Sequence, residues 1–316
     1  MITTARFEDL GDGITCIDAG YIDHGIACFY LVQSGNDYAV IETGTNHSVP
    51  LLQQCLQQRG IAPRQIRYVM PTHVHLDHAG GAGAMMAVFP EAQLVVHPRG
   101  ERHMVDPQRL VAASIAVYGE RTFRQLYGEI QAVNPDRVLA TADGDCVQLG
   151  SRELQFRFTE GHARHHHCIW DEQSAGWFTG DMFGVCYPWF RFPEGDFVLP
   201  STTPTQFDPD AYLASLALLA SYSPRRMYLT HYGAIAFTDE KRELLASQVK
   251  QYAALAADST VSSQEMPATL LDYALARLQA HTPSSAQGDL KRWLQQDIPL
   301  NTQGLLHWRE SAEQTG

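Results

Sequence analysis

Short apolar runs broken by polar turn residues dominate the first part of the chain. The segments "GITCIDAG", "IACFYLVQSG" and "YAVIETG" are rich in β-branched or aromatic residues and are separated by Gly, Asn and Asp, which predicts short strands joined by turns. Residues 48–60 carry a Ser cap, an early Pro, apolar residues at helical spacing and a terminal Gly, so they predict a helix. "IRYVM" then predicts a buried strand. This alternation favours helices packed on a sheet over an all-helical bundle.

The rest of the chain repeats this arrangement once and then becomes helical. Residues 99–130 have a mostly helical pattern, whereas residues 137–179 return to strand-like runs such as "LQFRFTE", "HHCIWD" and "GWFTG". From about residue 238 the apolar spacing is helical again, as in "DEKRELLASQVKQYAALAA". We therefore predict a main domain over residues 1–237 and a helical extension packed on it over residues 238–316.

The segment "PTHVHLDHAGG", residues 71–81, places four side chains able to bind metal on the loop that leaves the predicted strand "IRYVM". They are His73, His75, Asp77 and His78. Imidazole nitrogens and carboxylate oxygens suit zinc, iron or manganese. An isolated H-x-H would fit a polar surface loop, but four such residues in six positions indicate a metal site. A single tetrahedral site would not need all four, so the loop can serve two ions, and the glycines that follow allow a close backbone approach.

Three more side chains of this kind stand where other predicted strands end. His162 follows "RFTEG", Asp181 follows "WFTG" and His231 follows "MYLT". A bare carboxylate at the end of an apolar strand is costly unless it is solvated or paired with a cation. Since a sheet gathers its strand ends into one place, we expect these residues to share a site with the loop at 73–78.

Together the motifs "THVHLDH", "GH", "TGD" and "TH" resemble those of the metallo-β-lactamase-fold hydrolases, in the branch that includes glyoxalase II and lactonases. Their order and spacing match over about residues 13–235. The resemblance implies an α+β fold, a four-layer αββα sandwich with a dinuclear site at one edge and a C-terminal helical extension. It implies two divalent ions, zinc foremost and iron or manganese as alternatives. It assigns His73, His75 and His162 to the first ion, Asp77, His78 and His231 to the second, and Asp181 as the bridge.

Two residues beyond this set are expected to orient ligands. Glu42 in "IETG" replaces the aspartate that the family usually has, and the longer side chain can still reach a ligand. His166 lies four residues after His162, where family members often have another histidine. On a strand, His165 and His167 would point to the opposite face, and for them we expect packing or solvent exposure.

A pair of divalent ions sharing a water lowers the pKa of that water enough to give hydroxide near neutrality. Asp77, beside this nucleophile, is placed to accept or pass on a proton, and is the catalytic residue we predict. The expected reaction is hydrolysis of a small ester, thioester or lactone. Two alternatives stay open: a phosphodiesterase of small phosphodiesters, and an iron-dependent oxidoreductase on the same fold. Within the family, an aspartate at position 181 argues against β-lactam hydrolysis.

Several aromatic residues are candidates for the substrate pocket. Tyr187, Trp189 and Arg191 in the segment 184–204 could bind an apolar group and an anion, or could equally pack a loop or a dimer contact. Tyr21, on an early hairpin, is a weaker candidate for the edge of the pocket. The helical segment 99–130, which contains Tyr118 and Tyr127, suits a lid or a dimer surface.

Composition limits the partners. With 23 Lys and Arg against 35 Asp and Glu, the formal charge of −12 disfavours nucleic acid, whose binding depends on cations that neutralise phosphates. No apolar run reaches the roughly 20 residues that cross a bilayer. The first twelve residues lack an apolar core, and the six cysteines are scattered, so we expect a cytoplasmic protein. The predicted partner is a small-molecule substrate, with a homodimer possible.

Overall fold

The computed structural model describes residues 4–202, 205–282 and 290–315. Their contacts group them into two units that interleave along the chain. Unit 1 contains the residues up to Phe158, His165–Gly180 and Arg225–Ile235, and unit 2 contains Thr159–Arg164, Asp181–Pro224 and the residues from Ala236 onward.

The first sheet of unit 1 has its strands in sequence order and places two chain segments at one edge. Its strands are β1 (Phe7–Gly11), β2 (Ile14–Asp18), β3 (Cys28–Ser34), β4 (Asp37–Ile41), β5 (Ile66–Met70), β6 (Gln93–Val96) and β7 (Val138–Ala140). Pairing is antiparallel from β1 to β4 and parallel from β4 to β7. Because β4 and β5 are parallel neighbours, Glu42 and the "PTHVHLDH" loop leave the sheet at the same edge.

The second sheet contains a parallel pair of strands whose ends lie at one edge. Its strands are β8 (Cys146–Leu149), β9 (Arg152–Phe158), β10 (His167–Asp171), β11 (Gly176–Gly180), β14 (Arg226–Leu229) and β15 (Gly233–Ala236), in the order β15-β14-β11-β10-β9-β8. Strands β11 and β14 run parallel, so Gly180 and Thr230 lie at one edge of this sheet.

The core of unit 1 lies between the two sheets. Tyr30 and Met70 from the first sheet and Phe156, Phe178 and Tyr228 from the second belong to one buried apolar cluster. The Tyr30 and Phe178 rings meet edge to face at 5.2 Å, and the Phe178 and Tyr228 rings stack at 4.6 Å. Aromatic side chains of this size contribute much of the free energy of a sandwich core because they bury large apolar areas.

A buried ion pair ties the far end of the sandwich together. Arg152 Nε donates to Asp171 Oδ1 over 2.8 Å, and both side chains are almost fully buried. Arg152 Nη1 donates to the carbonyl oxygens of Asp12, at 2.6 Å, and Gln33, at 3.1 Å. These bonds satisfy the guanidinium and join β9 to the turns of the first sheet.

The helices of unit 1 follow the predicted pattern. They are α1 (Val49–Arg59), α2 (Leu76–Ala79), α3 (Ala82–Val88), α4 (Pro98–Val105), α5 (Gln108–Tyr118) and α6 (Glu120–Tyr127). Helix α1 confirms the helix expected over 48–60: it buries Leu51, Leu52 and Leu56 and ends at Gly60 in the left-handed conformation, φ +67°. The predicted helical segment 99–130 is occupied by α4, α5 and α6.

Unit 2 is mainly helical. It contains α7 (Pro209–Ser221), α8 (Asp239–Ala257), α9 (Met266–His281), α10 (Leu290–Trp293), α11 (Asp297–Thr315) and a short hairpin of β12 (Arg191–Phe192) and β13 (Gly195–Asp196). Helix α8 starts where the sequence places the domain boundary, with Thr238 accepting from the Lys241 N–H at its N-cap. That boundary stays a prediction, since the contacts group α8 with the earlier segment Asp181–Pro224. Among the described residues, no helix is both long and apolar enough to cross a bilayer.

Candidate metal centre

Unit 1 brings together five of the seven predicted ligands. His73 and His75 lie on the loop after β5, and Asp77 and His78 lie on the single turn of α2. His231 follows β14 of the second sheet. His73 and His78 are almost fully buried and His231 largely so, whereas the Asp77 side chain is 23% exposed.

Asp77, His78 and His231 form a compact group of donor atoms. One donor atom from each lies within 4.8 Å of the other two. His231 Nε2 is 3.4 Å from Asp77 Oδ2, and His78 Nε2 is 3.8 Å from the same oxygen. Ligands about 2.0–2.2 Å from a tetrahedral zinc ion stand about 3.3–3.6 Å apart, so this group fits one divalent ion.

The two imidazoles of this group are oriented through their other nitrogen atoms. His78 Nδ1 lies 3.0 Å from Glu42 Oε1, and His231 Nδ1 lies 2.8 Å from the carbonyl oxygen of Ile26. Each of these oxygens accepts a hydrogen bond from its histidine, so each Nδ1 carries the hydrogen and each Nε2 presents its lone pair toward Asp77. A ligand histidine bonded in this way has a defined tautomer and ring orientation.

Glu42 connects the segments that carry these ligands. Its carboxylate is 1% exposed and accepts from Thr72 N–H at 3.0 Å, from the Thr72 hydroxyl at 2.6 Å and from the Thr230 hydroxyl at 2.9 Å, besides its bond with His78. Thr72 precedes His73, and Thr230 precedes His231. Glu42 also lies at φ +65°, a conformation that costs a non-glycine residue about 1–3 kcal/mol. The four bonds offset this cost.

His73 and His75 form the second pair within unit 1. His73 Nε2 and His75 Nδ1 are 2.7 Å apart, so the two rings present nitrogen atoms to the same point. The Thr72 hydroxyl lies 3.1 Å from His73 Nδ1, which leaves Nε2 as the nitrogen directed to the site. The His73 ring is also 4.0 Å from that of His78, so the two groups are adjacent.

Two glycines allow this packing. A Cβ on Gly81 would lie 2.6 Å from the Thr43 carbonyl oxygen and 2.8 Å from that of Thr45. Gly180 has φ +51°, and a Cβ there would lie 2.3 Å from the Thr72 hydroxyl and 2.6 Å from His166 Nε2. Any side chain at either position would push apart the segments that hold the ligands.

His162 and Asp181 lie in unit 2 and form a pair of their own. His162 Nε2 is 3.5 Å from Asp181 Oδ2, and both side chains are largely buried. Ser201 contacts both: its carbonyl oxygen is 3.0 Å from His162 Nδ1, and its hydroxyl donates to Asp181 Oδ2 over 2.8 Å. The sequence did not indicate Ser201, because a serine between prolines and threonines belongs to no metal-binding pattern.

The three histidines after Arg164 are all buried, but in different surroundings. The His166 ring lies 4.8 Å from that of His73, on the side of the site. His165 is 8% exposed and stacks near His73 at 6.0 Å. His167 donates from Nε2 to the Pro71 carbonyl at 3.1 Å, and burial lowers its pKa to about 3, so it is a neutral core residue. His167 packs in the core, as expected, whereas His165 precedes β10 and lies beside His73 and His75 on the side of the site, not on the face opposite His166 that we predicted.

The predicted substrate residues Tyr187, Trp189 and Arg191 lie in unit 2. The Tyr187 hydroxyl donates to Asp297 over 3.0 Å, and its ring stacks on Trp189 at 4.9 Å. Arg191 is exposed on β12. Tyr187 is thus tied to α11, and a role for the three in substrate binding stays a prediction.

Three tyrosines that the sequence indicated separately meet in unit 1. The Tyr21 and Tyr127 hydroxyls are 3.2 Å apart, and the Tyr118 ring packs edge-on against Tyr127 at 5.9 Å. Burial is the main cause that raises the pKa of all three phenols, and the negative charge of Asp77 adds to it. The cluster is therefore protonated.

Comparison with known proteins shows which family the chain matches. The model of the metallo-beta-lactamase superfamily matches residues 25–231. Acyl-coenzyme A thioesterase MBLAC2 of Bos taurus is 31% identical over 189 residues, which cover 55% of this chain and 65% of that protein. The chain thus spans slightly less than two thirds of the length of that relative.

Solved structures share the fold at lower identity. The archaeal metallo-beta-lactamase superfamily protein ST1585 from Sulfolobus tokodaii superposes with a TM-score of 0.65 at 20% identity, covering 93% of this chain and 98% of its own. The metallo-beta-lactamase family protein TTHA1429 from Thermus thermophilus gives 0.64 at 21% identity, covering 91% and 95%. The predicted α+β sandwich with C-terminal helices is confirmed.

Proposed function

Because the chain belongs to the metallo-beta-lactamase superfamily, we propose that it is a metal-dependent hydrolase that cleaves small-molecule acyl esters, thioesters in particular. The observation that carries this proposal is the group of Asp77, His78 and His231, whose donor atoms fit one divalent ion and whose imidazoles are oriented by Glu42 and Ile26. Thioesters are the preferred class because the MBLAC2 relatives are named acyl-coenzyme A thioesterases.

The full ligand set that we propose has seven members and two ions, zinc foremost. Asp77, His78 and His231 would hold one ion. His73 and His75, with His162, would hold the other, and Asp181 would bridge the two. Support for the last two residues comes from their motifs and from Ser201, which orients both.

Asp77, Glu42 and the buried histidines would have different roles in the reaction. When bound, such ions polarise a carbonyl and lower the pKa of a coordinated water toward neutrality. The Asp77 carboxylate is partly exposed, so it is placed to take a proton from the attacking water and pass it to the leaving group. Glu42 and the Ile26 carbonyl hold His78 and His231 in the tautomer that binds metal. The buried histidines around His73 exclude bulk water from one side of the centre.

Metal analysis combined with a substrate panel tests this proposal. The purified chain, reconstituted with zinc, manganese or iron, would be assayed on acyl thioesters, nitrophenyl esters, lactones and bis-nitrophenyl phosphate. We expect close to two ions per chain and turnover of thioesters and esters. His231→Ala should lose about one ion and most of the activity, whereas Asp143→Asn, a surface carboxylate paired with Arg157, should change neither.

Three outcomes would contradict the proposal. Metal content far below two that is unaffected by His231→Ala would remove the ligand assignment. Activity confined to the phosphodiester would indicate phosphodiester hydrolysis. A coloured iron form that turns over oxygen and not esters would indicate the oxidoreductase alternative.

A further inference from the structure

Helix α5 is apolar but contributes nothing to the core. From Leu110 to Tyr118 it has no charged residue, and none of its side chains is fully buried. Its half-buried positions include Leu110, Val111, Ile115 and Tyr118, which share one face, and Val117 lies at the edge of this face. A surface helix of a folded protein normally buries such a face. In α5 this apolar face stays partly exposed to solvent along about 12 Å of the helix axis.

The most exposed large apolar side chains of the described residues flank the tyrosine cluster. Ile22 is 56% exposed and Val117 is 53% exposed, and they adjoin Tyr21 and Tyr118 in the chain. Ile22 also has φ +60°, which a β-branched residue adopts only at a cost in free energy. The backbone conformation at position 22 therefore does not explain why the residue there is an isoleucine.

The tyrosine cluster links this surface to the metal centre. Three hydroxyls share two hydrogen bonds, Tyr21 with Tyr127 at 3.2 Å and Tyr118 with Tyr127, so one phenol keeps its proton for another acceptor. Tyr21 belongs to the segment between β2 and β3 that also contains Ile26, whose carbonyl oxygen lies 2.8 Å from His231 Nδ1. Ile22 lies in the same segment as Ile26, and Val117 adjoins Tyr118, so both exposed side chains belong to segments that these contacts join to the ligand His231.

We propose that the acyl chain of the substrate lies across Ile22, Val117 and the half-buried face of α5, with Tyr21, Tyr118 and Tyr127 between that chain and Asp77. This inference rests on the proposed function. An acyl chain is the occupant that fits, because the face is uncharged in a chain of net charge −12 and ends at Tyr118, which packs on the tyrosines joined to the segment that orients His231. These residues then determine specificity by chain length, and the phenol that keeps its proton positions the ester carbonyl.

The test is a series of straight-chain acyl thioesters of increasing length assayed on the metal-loaded protein and three variants. Ile22→Asn suits the left-handed backbone, and Val117→Asn keeps a similar helix propensity. Leu139→Asn is the matched control, since Leu139 is exposed on β7 of the same unit. Burial of one methylene contributes up to about fourfold in affinity.

For the wild type we expect KM to fall as the chain lengthens. In Ile22→Asn and Val117→Asn, KM for the long thioester should rise about 5–20-fold, with kcat nearly unchanged and the acetyl thioester unaffected. Leu139→Asn should follow the wild type throughout. This split between long and short substrates would not result from a general loss of folding.

Distinct results would overturn the inference. If the wild type turns over the acetyl thioester with no dependence on chain length, or if both variants affect short and long substrates equally, the assignment of this surface is wrong while the proposed function stands. A change in molar mass by light scattering in Val117→Asn, with KM unchanged, would make α5 a dimer surface instead. If no thioester or ester in the series is cleaved, the proposed function fails, and the inference with it.

Discussion

Replacing Glu42 by glutamine tests the organisation of the metal centre with a minimal change in shape. The amide oxygen can take the place of Oε1, which accepts from the Thr72 and Thr230 hydroxyls and from His78. The amide NH2 must then occupy the position of Oε2, where it faces the Thr72 N–H, another donor. One buried backbone donor loses its acceptor, and three hydrogen bonds lose their charge.

The expected loss in stability and in metal affinity follows from those contacts. A buried donor left without an acceptor costs about 1–3 kcal/mol, and neutral hydrogen bonds are roughly half as strong as charged ones. We therefore expect Glu42→Gln to lower the free energy of unfolding by about 2–4 kcal/mol. His78 keeps an oxygen acceptor but loses the negative charge of its partner, and a change in such an outer partner typically lowers metal affinity about 10–100-fold.

Urea unfolding of the metal-free protein measures the first effect, and competition with a chelator of known affinity measures the second. The matched control is Glu153→Gln, the same substitution at an exposed position on β9, which should change the free energy of unfolding by less than about 0.5 kcal/mol. If Glu42→Gln binds metal with wild-type affinity, the charge of Glu42 does not strengthen metal binding through His78, and our account of the site is incorrect.

Three further predictions concern other parts of unit 1. Gly180→Ala should lower both metal content and thermal stability, as read by elemental analysis and calorimetry, because its Cβ would overlap the Thr72 hydroxyl; wild-type values would show that the backbone there relaxes freely. Arg152→Met should cost about 3–5 kcal/mol in urea unfolding because it leaves the Asp171 carboxylate buried and unpaired, and a loss below about 1 kcal/mol would mean that water reaches that carboxylate. Burial lowers the pKa of His97 to about 4 and that of His167 to about 3, so the unfolded chain binds more protons below pH 6.5. Stability is therefore complete above pH 6.5 and declines as the pH falls, by up to about 2 kcal/mol per histidine at pH 5; His97→Asn should have a shallower dependence in metal-free unfolding, and an unchanged slope would contradict this.

The sequence predicted those features of the molecule that neighbouring residues encode. The motif at 71–81 and the helix α1 are encoded by neighbouring residues, so spacing alone indicated both. Ser201 has no such signal, because its role comes from the position of one loop relative to His162 and Asp181.

The tyrosine cluster shows the same limit. Tyr21 and Tyr127 are separated by 106 residues, and their contact depends on how α6 packs beside the early hairpin. The sequence could place each near the site or on a lid, but only the tertiary structure brings their hydroxyls together. Likewise, the open face of α5 cannot be read from its composition, because an apolar helix is expected to be buried.

The position of Glu42 has a kinetic consequence. It accepts hydrogen bonds from Thr72, which follows β5 of the first sheet, and from Thr230, which follows β14 of the second. The two halves of the sandwich therefore share one buried carboxylate beside the ligands, and separating the sheets and disordering His78 become a single event. The rate at which a chelator extracts metal should then follow the opening rate of the whole sandwich, and core substitutions far from the ligands should accelerate metal release.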